Sequence, residues 1–145
     1  MSIMALEKIK KVSKEVILKE LSEEVVSIVL YGSYASGNAT KYSDVDLLLI
    51  TKNIFSGWRD KRKVSANLRR IFYKYGSFSV NIATIEEFKR SVQNLNPITI
   101  GIYDAHKVIY DKKNLFKNTI SQLEKYYNTN KIKRIEDNHW KVSFE

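Results

Sequence analysis

The sequence has no cysteine. That excludes thiol nucleophiles, zinc–thiolate centres and a disulfide framework, and it fits a reducing compartment. Histidine is almost as scarce: His106 and His139 stand alone, without a partner at metal-ligand spacing, and read as structural or surface residues. Long apolar runs are missing too. The stretches 25–31, broken by one Ser, and 45–50, broken by one Asp, fall far short of the ~20 residues that a membrane-spanning helix needs. The first eleven residues already carry Glu7, Lys8, Lys10 and Lys11, so the apolar centre of a signal peptide is absent. The expectation is a cytoplasmic protein with no membrane partner. No internal repeat, low-complexity run or internal linker interrupts the chain.

What is present is the composition of an ordinary globular domain. At 145 residues, with 43% hydrophobic and 28% charged side chains, the chain has the length of one domain and can bury a core without staples. The formal net charge of +9 favours anionic partners, whether nucleotides, RNA or an acidic protein. Enrichment in Lys, Glu, Ile and Tyr is equally the composition of a heat-adapted protein, so the charge total locates no site.

Periodicity gives a sequence of elements. Ile9, Val12 and Val16 sit at helical spacing within a predicted helix over 3–21, which Ser22, Glu23 and Glu24 interrupt. Residues 25–31 and 45–51 are β-branched and apolar, as buried strands are, and a loop of small residues, 32–43, joins them. A second helix is predicted over 55–75, with Val64, Leu68, Ile71 and Tyr75 on one face and Arg59 to Lys74 supplying a basic one; Gly76 is its stop. Phe78, Val80 and Ile82 alternate with Ser79, Asn81 and Ala83, the pattern of a third strand. Thr84 followed by Glu87 is a capping-box signature for a helix to about Gln93. Asn96–Pro97 is a breaker, followed by a short element over 98–103 and a strand over 107–110. Asp111 opens a last predicted helix carrying Phe116, Ile120, Leu123 and Tyr127, and the polar tail keeps one strand-like patch of Trp140, Val142 and Phe144. The order predicts an α/β (α+β) fold, a small mixed sheet flanked by helices. The expectation is a domain over residues 1–127 with 128–145 as a tail packed on it.

The chemistry concentrates between Leu30 and Ile50. Gly32-Ser33 follows a buried strand directly, where a glycine allows close backbone approach and the next residues offer N–H groups and a hydroxyl to a phosphate. Asp44 and Asp46 stand two apart at the head of the next strand, so their carboxylates leave from one face, as a cage for Mg²⁺ bound to substrate phosphates would require. Both features lie at strand ends, where they converge on one ligand.

With ten residues between Ser33 and Asp44, the segment resembles the GS-x10-DxD motif of the minimal nucleotidyltransferases in the DNA polymerase β superfamily. The close match covers about residues 25–50, and a looser one continues through 78–84, Glu86-Glu87-Phe88 and 107–111. The resemblance implies a nucleotidyltransferase fold in which Gly32 and Ser33, with Lys41 nearby, hold the triphosphate of an NTP, ATP for preference. Asp44 and Asp46 would be catalytic and would bind Mg²⁺ as cofactor. A nucleoside monophosphate would pass to a protein or RNA acceptor. Stand-alone domains of this size in the family often serve as antitoxins of HEPN-type toxins, which implies a HEPN partner protein. Two departures accompany the match. The family's third carboxylate is replaced on the strand 78–84 by Asn81, or by Ser79 if the alignment slips by two; an amide can ligate Mg²⁺ but is neither charged nor a base. Ser36 stands where many relatives carry arginine. The alternative is therefore a non-catalytic member of the same fold, acting as an antitoxin-like partner-binding module or an RNA-binding one.

Overall fold

The structure is a computed structural model describing residues 3–52, 55–136 and 139–143. Its centre is a four-stranded mixed sheet in the order β3-β2-β1-β4. Strands β1 (Val25–Tyr31) and β2 (Val45–Thr51) pair antiparallel, β2 and β3 (Phe78–Thr84) pair parallel, and β4 (Lys107–Asp111) closes the other edge antiparallel to β1. The first two strands coincide with the apolar runs read from the sequence, and the third with the alternating stretch that begins at Phe78. A parallel pair needs a crossover, and α3 (Trp58–Phe72) supplies it between β2 and β3.

Alternation splits the core in two. From β2 and β3, Val45, Leu47, Leu49, Phe78, Val80 and Ile82 face α1 (Leu6–Leu21) and α3, where Ile9, Val12, Ile17, Leu68 and Phe72 complete one buried cluster. The opposite faces contribute Leu48 and Ile50, covered by α4 (Ile85–Gln93), α5 (Pro97–Asp104) and α6 (Leu115–Ile120) through Phe88, Val92, Ile100 and Phe116. On this second face the strand positions nearest one end are polar: Asp46, Ser79 and Asn81. That is where the site lies.

Helix ends depart from the periodic reading. The first helix begins at Leu6 instead of residue 3, and the predicted helix over 55–75 contracts to Trp58–Phe72, with Gly57 before it and the chain leaving through turn hydrogen bonds from Tyr75 and Gly76 to the Phe72 carbonyl. Phe72 and Phe78 stack across that turn, 4.2 Å between centroids and 8° between planes, fixing where β3 starts. The expected capping box is present in both directions: Thr84 Oγ1 accepts from Glu87 N and Glu87 Oε1 accepts from Thr84 N.

The single last helix expected from Asp111 is instead a relay of short pieces. Asp111 ends β4 and caps α6 from a distance, its carboxylate accepting from the N–H groups of Phe116 and Lys117. Lys113 and Asn114 between them adopt left-handed backbone, which no continuous helix accommodates. The buried Ser27 hydroxyl donates to the same carboxylate at 2.7 Å. After α6, a 3-10 turn leads to α7 (Glu124–Asn128) and a hairpin of β5 (Ile132–Glu136) and β6 (His139–Val142). Ile132 is buried in the second cluster, and Trp140 and Val142 pack against it; Phe144, the third member of the expected patch, lies outside the described residues. No helix of the described residues is long and apolar enough to cross a membrane.

Candidate active site

Strand register brings the motif together. Tyr31, the last residue of β1, pairs with Asp46 on β2, and Asp46 pairs with Ser79 on β3. The end of one strand and the beginnings of two others therefore meet at one corner of the sheet. Immediately after Tyr31 the backbone turns at Gly32 with φ +70° and ψ −154°, a conformation essentially reserved for glycine. A second reason for glycine is steric: a Cβ here would run into the Asp46 side chain, whose Cγ would lie 3.1 Å away. The turn is thus laid directly against the carboxylate.

Ser33 opens α2 (Ser33–Ser36), a single turn in the predicted loop that periodicity did not reveal, and Gly37 closes it in left-handed backbone. The Gly32 carbonyl accepts from Ala35 and Ser36. The N–H groups of Ser33 and Tyr34 precede the first residue able to bond back within the turn and remain available. The Ser33 hydroxyl makes no hydrogen bond among the described residues. Tyr34, although it lies in the motif loop, packs against the first core cluster, and its hydroxyl accepts from Met4 N at 3.3 Å. Lys41 is exposed and lies over the Tyr42 ring; with Lys8, Tyr34, Ser43, Gly76 and Ser77 it borders a cavity of about 300 Å³ beside the motif loop.

Asp44 sits one residue ahead of β2, exposed, and accepts a hydrogen bond from Ser77 Oγ at 2.5 Å. Ser77 immediately precedes β3 and had no signal in the sequence; parallel pairing of β2 and β3 is what delivers it. Asp46 is half-buried. Burial first, and the neighbouring Asp44 charge second, raise its pKa above the usual carboxylate range. Burial and then the Asp46 charge likewise push Tyr31 upward, and a hydrogen bond with Asn81 draws it part of the way back. Tyr31 was also missed, although a residue directly before the glycine turn has to stand beside whatever that turn approaches.

Asn81 pairs with Leu48, two residues along from Asp46, on the same side of the sheet as Ser79. It is exposed, and no third carboxylate or histidine joins the aspartates: among the described residues no cluster of three such ligands exists. Glu86 and Glu87 do not substitute. They follow Thr84, which pairs with Thr51 at the far end of the sheet, and Glu87 is engaged by Lys61 at 2.8 Å. His106 holds the Ile102 carbonyl through Nδ1 at 2.7 Å and sits edge-on to Phe116, a structural placement.

The donors at this corner are hard oxygens carrying two negative charges, and among the described residues no positive side chain pairs with either carboxylate. Such a set suits a divalent cation that keeps several waters or phosphate oxygens of its own, as Mg²⁺ does, and suits thiophilic metals poorly. Antiparallel β1–β2 followed by parallel β3, with a glycine turn against paired aspartates, is the framework of a nucleotidyltransferase-class protein. The nucleotidyltransferase domain profile matches residues 9–139. A protein of Methanocaldococcus jannaschii, provisionally named a protein adenylyltransferase, is 35% identical over 132 residues, spanning 86% of both chains. Among solved structures, a toxin–antitoxin complex with AMP-PNP contains a chain of the same fold, with TM-score 0.58 at 13% identity over 84% of this chain and 89% of that one. So does tri-AMPylated Shewanella oneidensis HEPN toxin in complex with its MNT antitoxin, with TM-score 0.54 at 11% identity over 87% and 90%. The chain belongs to the nucleotidyltransferase domain family.

Proposed function

We propose that the protein is a Mg²⁺-dependent adenylyltransferase that moves AMP from ATP to a hydroxyl of a protein partner, with a HEPN-type toxin as the favoured acceptor. The observation that carries the reading is the packing of the Gly32 turn against Asp46, with Asp44 alongside, at the meeting point of three strand ends. In this reading the free N–H groups of Ser33 and Tyr34 and the Ser33 hydroxyl receive the triphosphate, and Lys41 adds charge from the loop. Asp44 and Asp46 hold the cation, with Ser77 keeping the Asp44 carboxylate in place. Bound there, Mg²⁺ would offset the charge of the triphosphate. The acceptor hydroxyl oxygen attacks the α-phosphorus and gives up its proton to solvent, the bond to the β-phosphate oxygen breaks and pyrophosphate leaves. The chain's share is positioning and electrostatics, because Asn81 supplies neither charge nor a base. The name of the Methanocaldococcus relative and the AMPylated state of the HEPN toxin bound to its MNT antitoxin support a protein acceptor.

Asn81 favours a second reading, a member that binds nucleotide or partner without turnover. ATP calorimetry with and without Mg²⁺, on the wild type and Asp46→Asn, tests the shared part. Mg²⁺-dependent binding lost in the variant is expected, and a folded wild type that ignores ATP would remove both nucleotide readings. Transfer of labelled AMP to a co-expressed HEPN partner then separates them, with Asp44→Asn as the inactive control; label appearing equally with that variant rejects the assigned carboxylates.

A further inference from the structure

The outer face of α3 carries a feature that nucleotidyl transfer does not use. Arg62, Ser65, Ala66, Arg69, Arg70 and Tyr73 line an open groove of about 710 Å³. Positions 62, 66, 69 and 73 are spaced four, three and four apart, so they form one stripe along about 16 Å of helix. Its lining combines the small side chains of Ser65 and Ala66 with three arginines and the ring of Tyr73, which is 74% exposed. Tyr73 shares high exposure with Tyr42 and Trp58, whereas Tyr75, two residues later, is packed on the first core cluster.

The cations of the stripe are uncompensated. Asp60 is the sole acid in α3, and among the described residues the one ion pair is Lys61 with Glu87. Arg69 donates through Nε to the Phe78 carbonyl at 3.3 Å, and Arg70 donates to Asn67 Oδ1. Each is steadied by a neutral acceptor, and neither meets a carboxylate. Neighbouring like charges held this way repel one another, and a polyanion relieves the repulsion. An acidic peptide would answer the charges alone. Planar guanidiniums beside an exposed ring and small side chains answer phosphates and base faces together.

We propose that the outer face of α3 binds single-stranded nucleic acid, with Arg62, Arg69 and Arg70 on phosphates and Tyr73 stacked on a base. The inference is independent of catalysis at the aspartates. The Tyr73 end of the stripe is the end from which the chain leads, through Tyr75 and Gly76, to Ser77, whose hydroxyl donates to Asp44.

The test is fluorescence anisotropy of a labelled twelve-nucleotide single-stranded RNA with the full chain, across a salt series. Three phosphate contacts predict a slope of log affinity against log salt of about −2. Arg62→Glu with Arg70→Glu should weaken binding at least tenfold and flatten the slope. Tyr73→Ala should weaken it about five- to a hundredfold and leave the slope unchanged. Asp46→Asn should bind RNA as the wild type does, which keeps this result separate from the nucleotide reading. Thermal melts verify that each variant is folded. No binding by the wild type at low salt, or binding indifferent to Tyr73→Ala and to the double charge reversal, overturns the proposal. Tighter capture of a polyglutamate peptide than of RNA, with Tyr73→Ala silent, would identify an acidic-protein surface and overturn it as well.

Discussion

Glu87 and Asp46 stand toward opposite ends of the same two strands, with about 17 Å of parallel ladder between the Asp46–Ser79 and Thr51–Thr84 pairs. At the far end, burial pushes Glu87 upward. The hydrogen bond from Lys61, the Thr84 N–H and the Lys61 charge outweigh that, and its pKa lies below the ordinary value. At the near end, burial and the Asp44 charge act in the same direction on Asp46, and its pKa is raised. One carboxylate receives its countercharge from the chain and locks a helix start. The other is left in surroundings that disfavour its charge, with the Gly32 turn packed against it. That contrast separates an acid whose charge the chain itself offsets from one whose charge it leaves disfavoured.

The largest expected effect comes from abolishing the near end outright. Gly32→Ala forces a side chain into the Asp46 carboxylate and onto a backbone region that costs about 1–3 kcal/mol. ATP binding in calorimetry should disappear, and the melting temperature should fall by several degrees. If binding survives, the close approach of turn and carboxylate has no part in holding nucleotide.

A pH series sharpens the comparison because the two acids act with opposite sign. Above the ordinary aspartate value of 3.8, the unfolded chain has lost a proton that folded Asp46 retains up to its raised pKa, so stability falls as pH rises through that window. Glu87 contributes stability that is present above its ordinary 4.5 and lost as pH falls through its lower folded value. In metal-free melts, Asp46→Asn should flatten the loss on raising pH. Glu87→Gln should cost about 0.5–1 kcal/mol near neutrality, discounted because the pair is 25% and 41% exposed, and that cost should shrink in acid. The two variants behaving alike would dissolve the distinction.

The smallest expected change is a gain. Asn81→Asp places a third acid on the same side of the sheet as Asp46, which should raise Mg²⁺ affinity several-fold in the absence of nucleotide and raise the Asp46 pKa further. Unchanged metal titration would show that position 81 lies outside the ligand set.

How much of this was legible in the sequence depends on how far apart the participants lie along the chain. Gly32, Ser33, Asp44 and Asp46 are neighbours in sequence, and the strands that carry them are apolar enough to be read directly, so β1, β2, β3 and the Thr84–Glu87 cap appear as expected. Ser77 and Tyr31 join the site only through strand register, which no local pattern encodes. The last helix misled for a different reason. Phe116, Ile120, Leu123 and Tyr127 keep helical spacing across pieces that Lys113 and Asn114 precede in left-handed backbone, because all four need only face the same core. Tyr34 lies in the motif loop, yet its ring finds more apolar surface on the first cluster than at the site.

The two edges of the sheet have unequal prospects for growth. Along β3, Ser65 donates to the Val80 carbonyl at 2.7 Å and Arg69 to that of Phe78, so the crossover helix already occupies acceptors that an added strand would need. β4, five residues long, is the edge left for pairing among the described strands of this sheet. A sheet that can be extended on one side only cannot by itself propagate a chain of copies. Two copies meeting edge to edge would exhaust each other's open face, and assembly through this sheet would stop at a pair.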